Sequence, residues 1–423
     1  MLVIEGARDI YGQVINLKLE NDSDEYIDAS QLTILPAVID PHVHFRVPGM
    51  EYKEDWRTGA KAAICGGCTM VFDMPNTKPP TFTAIQLADK KALIDSQLQE
   101  VGIPLHYQLF FGADKHHLHE IATVQNQVVG IKVFMGCSTG NLVIDDDESL
   151  HAVFEIAAKL NMLVAVHAED ETLIKARKQN FHGAADYADH STLRNEEVAC
   201  VAVEKAISLT RQYGTRLYVL HMSTADEVEL IRKAKKDNLP VFAETTPHHL
   251  FLDTTHYARL YGKAVVNPPL RDSKHHAALW QAIKDGVIDT IGSDHAPHTL
   301  EEKNQTYGAC PSGMPGIEFM LPLLLNASHH GRISLAQIVS LTSARAKHIF
   351  QIQSHSDYVL VDLNRTDIVS HTVSKCGWSS YEGMQLTGWP IYTVLGSRCY
   401  QVSAGVNGTN VRIFMDGFYR EAY

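Results

Sequence analysis

The chain has 423 residues, 45% of them hydrophobic and 20% charged, which is typical of a globular protein that could contain one large domain and a small one. Its formal charge is −12 and no basic block stands out, so neither a nucleic-acid surface nor an anionic-membrane surface is expected. The first residues lack the apolar core of a secretory signal, and no apolar run reaches the length of a membrane span. Seven cysteines, a sparse and odd set, suit reduced thiols. These features together predict a cytoplasmic protein.

The predicted elements change in character near residue 36. Residues 1–35 contain short strand-like runs, and from there apolar strands alternate with amphipathic helical segments. The predicted strands are Ala37–Asp40, Thr69–Asp73, His106–Phe111, Gly130–Phe134, Leu163–His167, Arg216–His221, Val241–Glu244 and Ile288–Ser293. The predicted helices are Ala84–Leu98, Ser149–Leu160, Asn195–Tyr213, Ala225–Lys236 and Lys274–Asp285. This alternation favours a (β/α)8 barrel, although a doubly wound sheet would give the same pattern.

Two more helical segments follow the eighth strand, Gly316–Ala327 and Ser334–Phe350, and strand-like runs return after Asp357. Both ends of the chain are therefore rich in strands while the middle is β/α. We predict an α/β protein with a TIM-type (β/α)8 barrel over residues 36–350. Residues 1–35 and 351–423 are predicted to build a small β-sandwich domain together.

Two histidines mark the end of the first barrel strand, in the stretch PAVIDPHVHFR. Side chains at positions i and i+2 of a strand point the same way, so His42 and His44 present two imidazoles to one side. Two imidazoles on one side are suitable ligands for a transition metal. The alternative is a histidine pair on a solvated strand end, which is a common arrangement in a chain with 23 histidines.

Further ligand-type residues stand at the ends of other predicted strands. His167 ends the fifth strand, His221 ends the sixth, and Asp294 follows the eighth. The functional residues of a barrel lie at the carboxyl ends of its strands, so all of these would meet at one pole. Each one alone has a structural explanation, but together they predict a metal centre.

Lys132 lies inside the fourth predicted strand, in GIKVFMG. Burial in a barrel favours the neutral amine of a lysine. A neutral amine reacts with carbon dioxide to give a carbamate, whose two oxygens could bridge two cations. The alternative is a buried lysine paired with an acid.

Six motifs stand out along the chain, with the strand-end histidines His167 and His221 between them: HVHFRVPG, DMPNT, GIKVFMG, VNPPLR, SDHAPH and KCGWSSYEGMQLTGWP. Together they resemble the dihydroorotases of the amidohydrolase superfamily. The resemblance runs from about Pro36 to the end of the chain. It implies a metal-dependent barrel that interconverts L-dihydroorotate and N-carbamoyl-L-aspartate in pyrimidine biosynthesis.

The resemblance also implies roles for single residues. His42, His44 and Asp294 would bind one Zn²⁺, and His167 and His221 a second. Carbamylated Lys132 and a hydroxide would bridge the two metals, and Asp294 would serve as the catalytic base and acid. The residues implied in substrate binding are Arg46, Asn76 and His298 at the carboxylate, and Asn267, Gly313, Met314 and Pro315 around the ring. Val47 departs from the glutamate expected after the arginine.

Two other functions stay open at this point. One is a related cyclic amidase that acts on allantoin or hydantoins, and the other is a non-catalytic scaffold. A homodimer is expected, and association with other pyrimidine enzymes is considered. The adjacent His248 and His249 are interpreted as structural, and the polar segment Thr299–Pro311 is expected to close over bound substrate.

Overall fold

A computed structural model describes residues 1–20, 25–136, 142–144, 146–182, 186–353, 355–370, 372–405 and 408–414, with side chains described as far as residue 402. The first four strands are β1 (Leu2–Arg8), β2 (Val14–Leu19), β3 (Glu25–Asp28) and β4 (Thr33–Pro36). The next eight are β5 (Val38–Val43), β6 (Cys68–Asp73), β7 (His106–Gly112), β8 (Gly130–Phe134), β9 (Leu163–His167), β10 (Arg216–Val219), β11 (Val241–Thr245) and β12 (Thr290–Ile291). The last four are β13 (Tyr358–Ile368), β14 (Gln385–Leu395), β15 (Arg398–Gly405) and β16 (Gly408–Phe414).

Helices alternate with the middle strands and then follow them. Between β5 and β12 lie α1 (Trp56–Cys65), α2 (Ala84–Val101), α3 (Asp147–Lys159), α4 (Glu171–Asn180), α5 (Asp189–Leu193), α6 (Glu196–Tyr213), α7 (Ala225–Lys236), α8 (Pro247–Phe251), α9 (Tyr257–Leu260) and α10 (Lys274–Lys284). After β12 come α11 (Leu300–Lys303), α12 (Met320–His329), α13 (Leu335–Val339) and α14 (Arg345–Phe350). Short 3₁₀ turns cover Leu118–Val124, Thr254–His256 and Tyr261–Ala264, and a π-turn covers Ser340–Ala344.

Strands β5 to β12 form one parallel sheet in which each strand lies beside its neighbour in sequence. The sheet closes because Val43, at the end of β5, forms a parallel bridge with His295, just past β12. The His44 N–H also donates to the His295 carbonyl over 2.8 Å. Sequential parallel strands connected through helices define a (β/α)8 barrel, so the predicted fold class is confirmed.

The remaining strands form a second sheet that joins the two ends of the chain. Its order is β16-β15-β14-β13-β4-β1-β2, with β3 beside β1. Strand β13 pairs antiparallel with β4, where Val359 faces Leu35. Both termini therefore build one β-structure beside the barrel, as predicted. The domain limits of 1–35, 36–350 and 351–423 remain a prediction.

The element bounds differ from the predicted ones in places that affect the site. Strand β5 runs to Val43, so His42 lies inside it, whereas β12 is two residues long. Helix α1 is not among the predicted helices, although Trp56, Ala60, Ala63 and Ile64 form an apolar face that the structure buries. Asp55 nevertheless caps it by accepting from the Arg57 and Thr58 N–H groups.

Cys65 and Cys68 flank the turn between α1 and β6. Both thiols are buried and unpaired, and Gly67 between them has a φ of +73°, which favours glycine. The two cysteines are therefore small buried residues around a glycine turn.

None of the described helices has both the length and the apolar character that crossing a membrane requires.

Candidate active site

The side chains predicted as metal ligands meet at the carboxyl ends of the barrel strands. Together with the predicted substrate residues Arg46, Asn76, Asn267 and His298, they line one cavity of about 630 Å³. The ligand-type members are His42, His44, Lys132, His167, His221 and Asp294. The parallel order of the sheet explains this convergence, because all its strands end at the same pole.

His42, His44 and Asp294 form the tightest group. Oδ1 of Asp294 lies 3.2 Å from Nε2 of His42 and 3.1 Å from Nε2 of His44. One ligand atom from each residue lies within 4.8 Å of the others, and all three residues are buried. Two imidazole nitrogens and a carboxylate oxygen are a donor set that suits Zn²⁺ and similar metals.

The second nitrogen of each imidazole in this group is held by a neighbouring side chain. Nδ1 of His42 donates to Oε1 of Glu244 over 2.8 Å, and Nδ1 of His44 donates to Oδ1 of Asn76 over 2.8 Å. These contacts turn both Nε2 atoms towards Asp294. An outer hydrogen bond of this kind fixes the tautomer that a metal-binding histidine needs.

His167 and His221 form a second imidazole pair. Nδ1 of His167 lies 2.9 Å from Nε2 of His221, and the rings of His42 and His221 are 5.4 Å apart between centroids. Nε2 of His167 donates to Glu169 over 2.8 Å, and Arg194 donates to both oxygens of that carboxylate. Burial lowers the pKa of both imidazoles, so they favour the neutral form that binds metal.

Lys132 lies on β8 with 1% of its surface exposed. Its Nζ is 4.6 Å from the centroid of the Phe134 ring. Burial lowers the pKa of Lys132 to about 7, while the charges of Asp294 and Glu244 act in the opposite direction. Among the residues that the structure describes, no carboxylate lies within ion-pair distance of this ammonium group.

Three non-glycine residues of the site have left-handed backbone conformations. The φ angles are 65° for Arg46, 38° for His221 and 46° for Asp294. Such conformations cost free energy and persist where the surrounding structure imposes them, most often at functional sites. Burial raises the pKa of the Asp294 carboxyl, but the imidazoles of His42 and His44 outweigh burial and hold it well below its usual value.

The predicted carboxylate site lies on another side of the same cavity. Nε of Arg46 donates to the Pro297 carbonyl over 3.1 Å, and its Nη2 lies 3.2 Å from Nε2 of His298. Burial lowers the pKa of Arg46 to about 10, which still leaves the guanidinium charged at neutral pH. Asn76, already bound to His44 through its oxygen, has its amide nitrogen available to a ligand.

The predicted ring-binding residues divide into two groups. Asn267 and Gly313 line the cavity, and Oδ1 of Asn267 accepts a hydrogen bond from Nε2 of His190 over 2.9 Å. Met314 and Pro315 are not among the lining residues. The Met314 side chain packs in a hydrophobic cluster, although its backbone carbonyl accepts from the Ala296 N–H over 2.9 Å.

His248 and His249 lie on the short helix α8, past the end of β11, rather than on a strand. His249 contacts Thr246 through Nδ1 over 2.9 Å and the Pro268 carbonyl through Nε2 over 3.1 Å. Neither imidazole is among those that line the cavity. The contacts of His249 agree with its interpretation as a structural residue.

Several residues of the site were not found from the sequence. They are Glu169, His190, Arg194, Glu244 and Tyr307. Glu169 stands two residues after His167, and Glu244 ends the seventh predicted strand, so the strand-end argument that located the imidazoles could have located both carboxylates. His190 and Tyr307 lie outside the strands and carry no such signal.

Comparison with known proteins shows the family to which the chain belongs. The amidohydrolase family model matches residues 33–359. Dihydroorotase of Methanosarcina acetivorans is 36% identical, covering 88% of this chain and 83% of that protein. Dihydroorotase of Methanosphaera stadtmanae is 32% identical, covering 93% of this chain and 94% of that protein. The chain therefore belongs to the amidohydrolase family.

Solved structures of cyclic amidohydrolases have the same fold. L-Hydantoinase (dihydropyrimidinase) from Arthrobacter aurescens superposes with a TM-score of 0.86 at 27% identity, covering 93% of this chain and 94% of that chain. Dihydropyrimidinase from Brevibacillus agri gives a TM-score of 0.81 at 28% identity, with 93% and 94% covered. The protein is a hydrolase that acts on cyclic amides. The family is generally metal-dependent, in agreement with the group of His42, His44 and Asp294.

Proposed function

We propose that the protein is a dihydroorotase, which interconverts L-dihydroorotate and N-carbamoyl-L-aspartate in pyrimidine biosynthesis. The observation that carries the proposal is a buried guanidinium, that of Arg46, in the same cavity as the imidazole and carboxylate cluster. Dihydroorotate has a carboxylate on its cyclic amide ring, and a guanidinium matches a carboxylate in both charge and geometry. Relatives at 32–36% identity that are named dihydroorotase support the same substrate.

The donor set fits two Zn²⁺ ions. His42, His44 and Asp294 would hold one, and His167 and His221 the other. Lys132 is buried between these groups without a carboxylate partner in the described part of the chain, which suits a bridging carbamate. The amine would add to carbon dioxide and release one proton. Bound divalent metals would lower the pKa of water and polarise the amide carbonyl.

The chain's own residues would bind the substrate and move the proton. Asp294 would accept a proton from the attacking water and deliver it to the ring nitrogen as the C–N bond breaks. In the opposite direction, the same carboxylate would remove the ureido proton as nitrogen attacks the side-chain carboxyl. Arg46, Asn76 and His298 would hold the carboxylate so that the amide carbonyl faces Asp294.

The closest alternative is a hydantoinase or allantoinase activity, which the solved hydantoinase structures favour. Rates of ring opening with dihydroorotate, hydantoin and allantoin, measured on the same metal-loaded preparation, separate these activities. We expect the highest kcat/KM with dihydroorotate, because hydantoin lacks the carboxylate that Arg46 would bind. A higher kcat/KM with hydantoin or allantoin would overturn the proposal.

The scaffold alternative predicts loss of ligands, whereas this chain keeps all six predicted ligand residues in one cavity. Metal analysis of the purified protein tests it. Protein that neither binds metal nor opens any of the three rings would restore the scaffold interpretation.

A further inference from the structure

Two oppositely charged side chains meet the imidazole of His298 at its Nδ1 atom. Nζ of Lys53 lies 2.9 Å from Nδ1 and 2.8 Å from Oε1 of Glu302. Oε2 of Glu302 lies 3.4 Å from the same Nδ1. Neither Lys53 nor Glu302 lines the cavity, whereas Nε2 of His298 contacts the lining residues Arg46 and Ser312. Lys53 and Glu302 therefore act on His298 from outside the cavity.

The two charged groups favour opposite protonation states of Nδ1. An ammonium group can only donate hydrogen bonds, so contact with Lys53 requires Nδ1 to accept and leaves the ring proton on Nε2. A carboxylate can only accept, so contact with Glu302 would require the proton on Nδ1. The ring carries a single proton, because burial and the charge of Arg46 lower the pKa of His298 well below its usual value.

The other contacts of Glu302 favour the state in which Nδ1 accepts from Lys53. Oε2 of Glu302 already accepts from the Thr299 N–H over 3.1 Å, and Oε1 accepts from Lys53. At 3.4 Å the contact of Oε2 with Nδ1 is also longer than an ordinary hydrogen bond. Lys53 has 7% of its surface exposed, so water has little access to compete for Nδ1.

The resulting tautomer presents an N–H group beside Arg46. Nε2 of His298 lies 3.0 Å from the Ser312 carbonyl oxygen, which can only accept, and 3.2 Å from Nη2 of Arg46, which can only donate. The shorter contact, with Ser312, agrees with a proton on Nε2. A substrate carboxylate bound beside Nε2 and Nη2 would accept from both groups and would replace the Ser312 carbonyl as the acceptor of the Nε2 proton. With the proton on Nδ1, Nε2 would instead present a lone pair that repels a carboxylate.

We propose that Lys53 is a positioning residue for substrate specificity: its contact with Nδ1 keeps the His298 proton on Nε2, so that His298 donates to the carboxylate of the substrate. Lys53 does not touch the substrate itself. The inference rests on the proposed function, because the carboxylate is that of dihydroorotate. It adds a residue outside the cavity to the carboxylate site.

Lys53→Met removes the ammonium group and keeps the length of the side chain. We expect it to raise KM for dihydroorotate roughly tenfold, as for one hydrogen bond to a charged group, with kcat changed less than about threefold. In a His298→Asn background the same substitution should leave KM unchanged, because no imidazole remains to be oriented. Lys235→Met is the matched control, since it breaks an ion pair with Asp289 away from the cavity.

Glu302→Gln distinguishes two explanations: that Lys53 fixes the tautomer of His298, and that Lys53 and Glu302 form a purely structural ion pair. The tautomer account predicts KM within about twofold of wild type, because the amide lacks the negative charge that favours a proton on Nδ1 and its NH2 group can donate to Nδ1. A purely structural ion pair predicts a roughly tenfold rise in KM for Glu302→Gln, as for Lys53→Met. That rise would overturn the inference, and it can be measured on Glu302→Gln even if Lys53→Met does not fold.

Two further results would count against the inference. If the wild-type enzyme opens dihydroorotate and Lys53→Met leaves KM unchanged, the inference is wrong and the proposed function stands. The same holds if the rise in KM persists in the His298→Asn background. A wild-type protein that does not open dihydroorotate would overturn the proposed function, and the inference with it.

Discussion

At the scale of single residues, the two imidazole pairs are oriented by carboxylates that do not belong to the predicted ligand set. Glu244 binds Nδ1 of His42 and also accepts from the Tyr218 hydroxyl over 2.9 Å and from the His221 N–H over 3.2 Å. Glu169 binds Nε2 of His167. Glu244 thus contacts the imidazole of His42 and the backbone of His221, one residue from each pair.

Lys132→Ala tests the residue on which the binuclear proposal depends most. We expect bound metal to fall and ring opening to become undetectable, because the bridge between the two ligand groups is lost. Metal content by mass spectrometry and rates on the same samples measure both effects. Lys115→Ala, an exposed lysine that pairs with Asp146, is the control. A Lys132→Ala protein with normal metal content and rate would refute the carbamate role.

Arg46→Met tests the recognition of the carboxylate. A hydrogen-bonded pair between charged groups contributes about 1.5–3 kcal/mol, so its loss should raise KM roughly 10- to 100-fold. We also expect kcat to fall, because carboxylate binding orients the ring for attack. Arg57→Met removes a partly exposed arginine that pairs with Glu100 outside the cavity and should change neither constant. An unaltered KM for Arg46→Met would argue against dihydroorotate as the substrate.

At the scale of elements, the strand order and the ligand residues at the strand ends could be predicted from the sequence. Apolar runs locate the strands, and functional residues of a (β/α)8 barrel lie at the carboxyl ends of its strands. Helix α1 could have been predicted from its Asp55 cap and its apolar face. The lengths of β5 and β12 could not, because they depend on tertiary contacts such as the bridge between Val43 and His295. The contact of His190 with Asn267 could not be predicted either, because it joins the short helix α5 to a loop residue 77 positions away in the sequence.

The segment Thr299–Pro311 was expected to close over substrate, and several of its residues line the cavity. Its Tyr307 hydroxyl lies 3.0 Å from Nδ1 of His190, and the Tyr187 hydroxyl donates to the Gln305 carbonyl over 2.7 Å. These contacts attach the segment to the region of helix α5. Because His190 also holds Asn267, the position of this segment affects the predicted ring-binding side of the cavity.

Tyr307→Phe removes the hydroxyl and keeps the ring. Loss of one neutral hydrogen bond, about 0.5–1.5 kcal/mol, should raise KM roughly two- to tenfold with a smaller change in kcat. Steady-state kinetics with dihydroorotate measure both constants. Tyr213→Phe, which loses a hydroxyl bound to His151 outside the cavity, is the control. Equal kinetics for Tyr307→Phe and wild type would show that this contact does not shape the site.

At the scale of the whole molecule, the sheet built from both termini packs on the barrel. A side chain added at Gly67 would meet Val359 of β13 at 2.7 Å, and the Thr393 hydroxyl donates to the Ile64 carbonyl over 2.8 Å. The chain that follows β13 contacts a residue that lines the cavity, since Nε1 of Trp378 donates to the His298 carbonyl over 2.8 Å. The connection between β13 and β14 thus supports the backbone of His298.

Leu360→Ala tests how strongly this sheet stabilises the molecule. Leu360 is fully buried on β13, and truncation of such a side chain costs about 2–5 kcal/mol in the free energy of unfolding. Urea denaturation measures the change. Ile368→Ala, on the same strand but 59% exposed, should cost less than about 0.5 kcal/mol. Equal losses in the two variants would mean that β13 is not part of the cooperative core.

The most direct test of the whole account is a dihydroorotate ring-opening assay on protein whose metals have been counted. The account predicts about two metal ions per chain, turnover that disappears when a chelator removes them, and turnover that returns with Zn²⁺ and bicarbonate. Full activity in metal-free protein, or two bound metals without any opening of dihydroorotate, would contradict it.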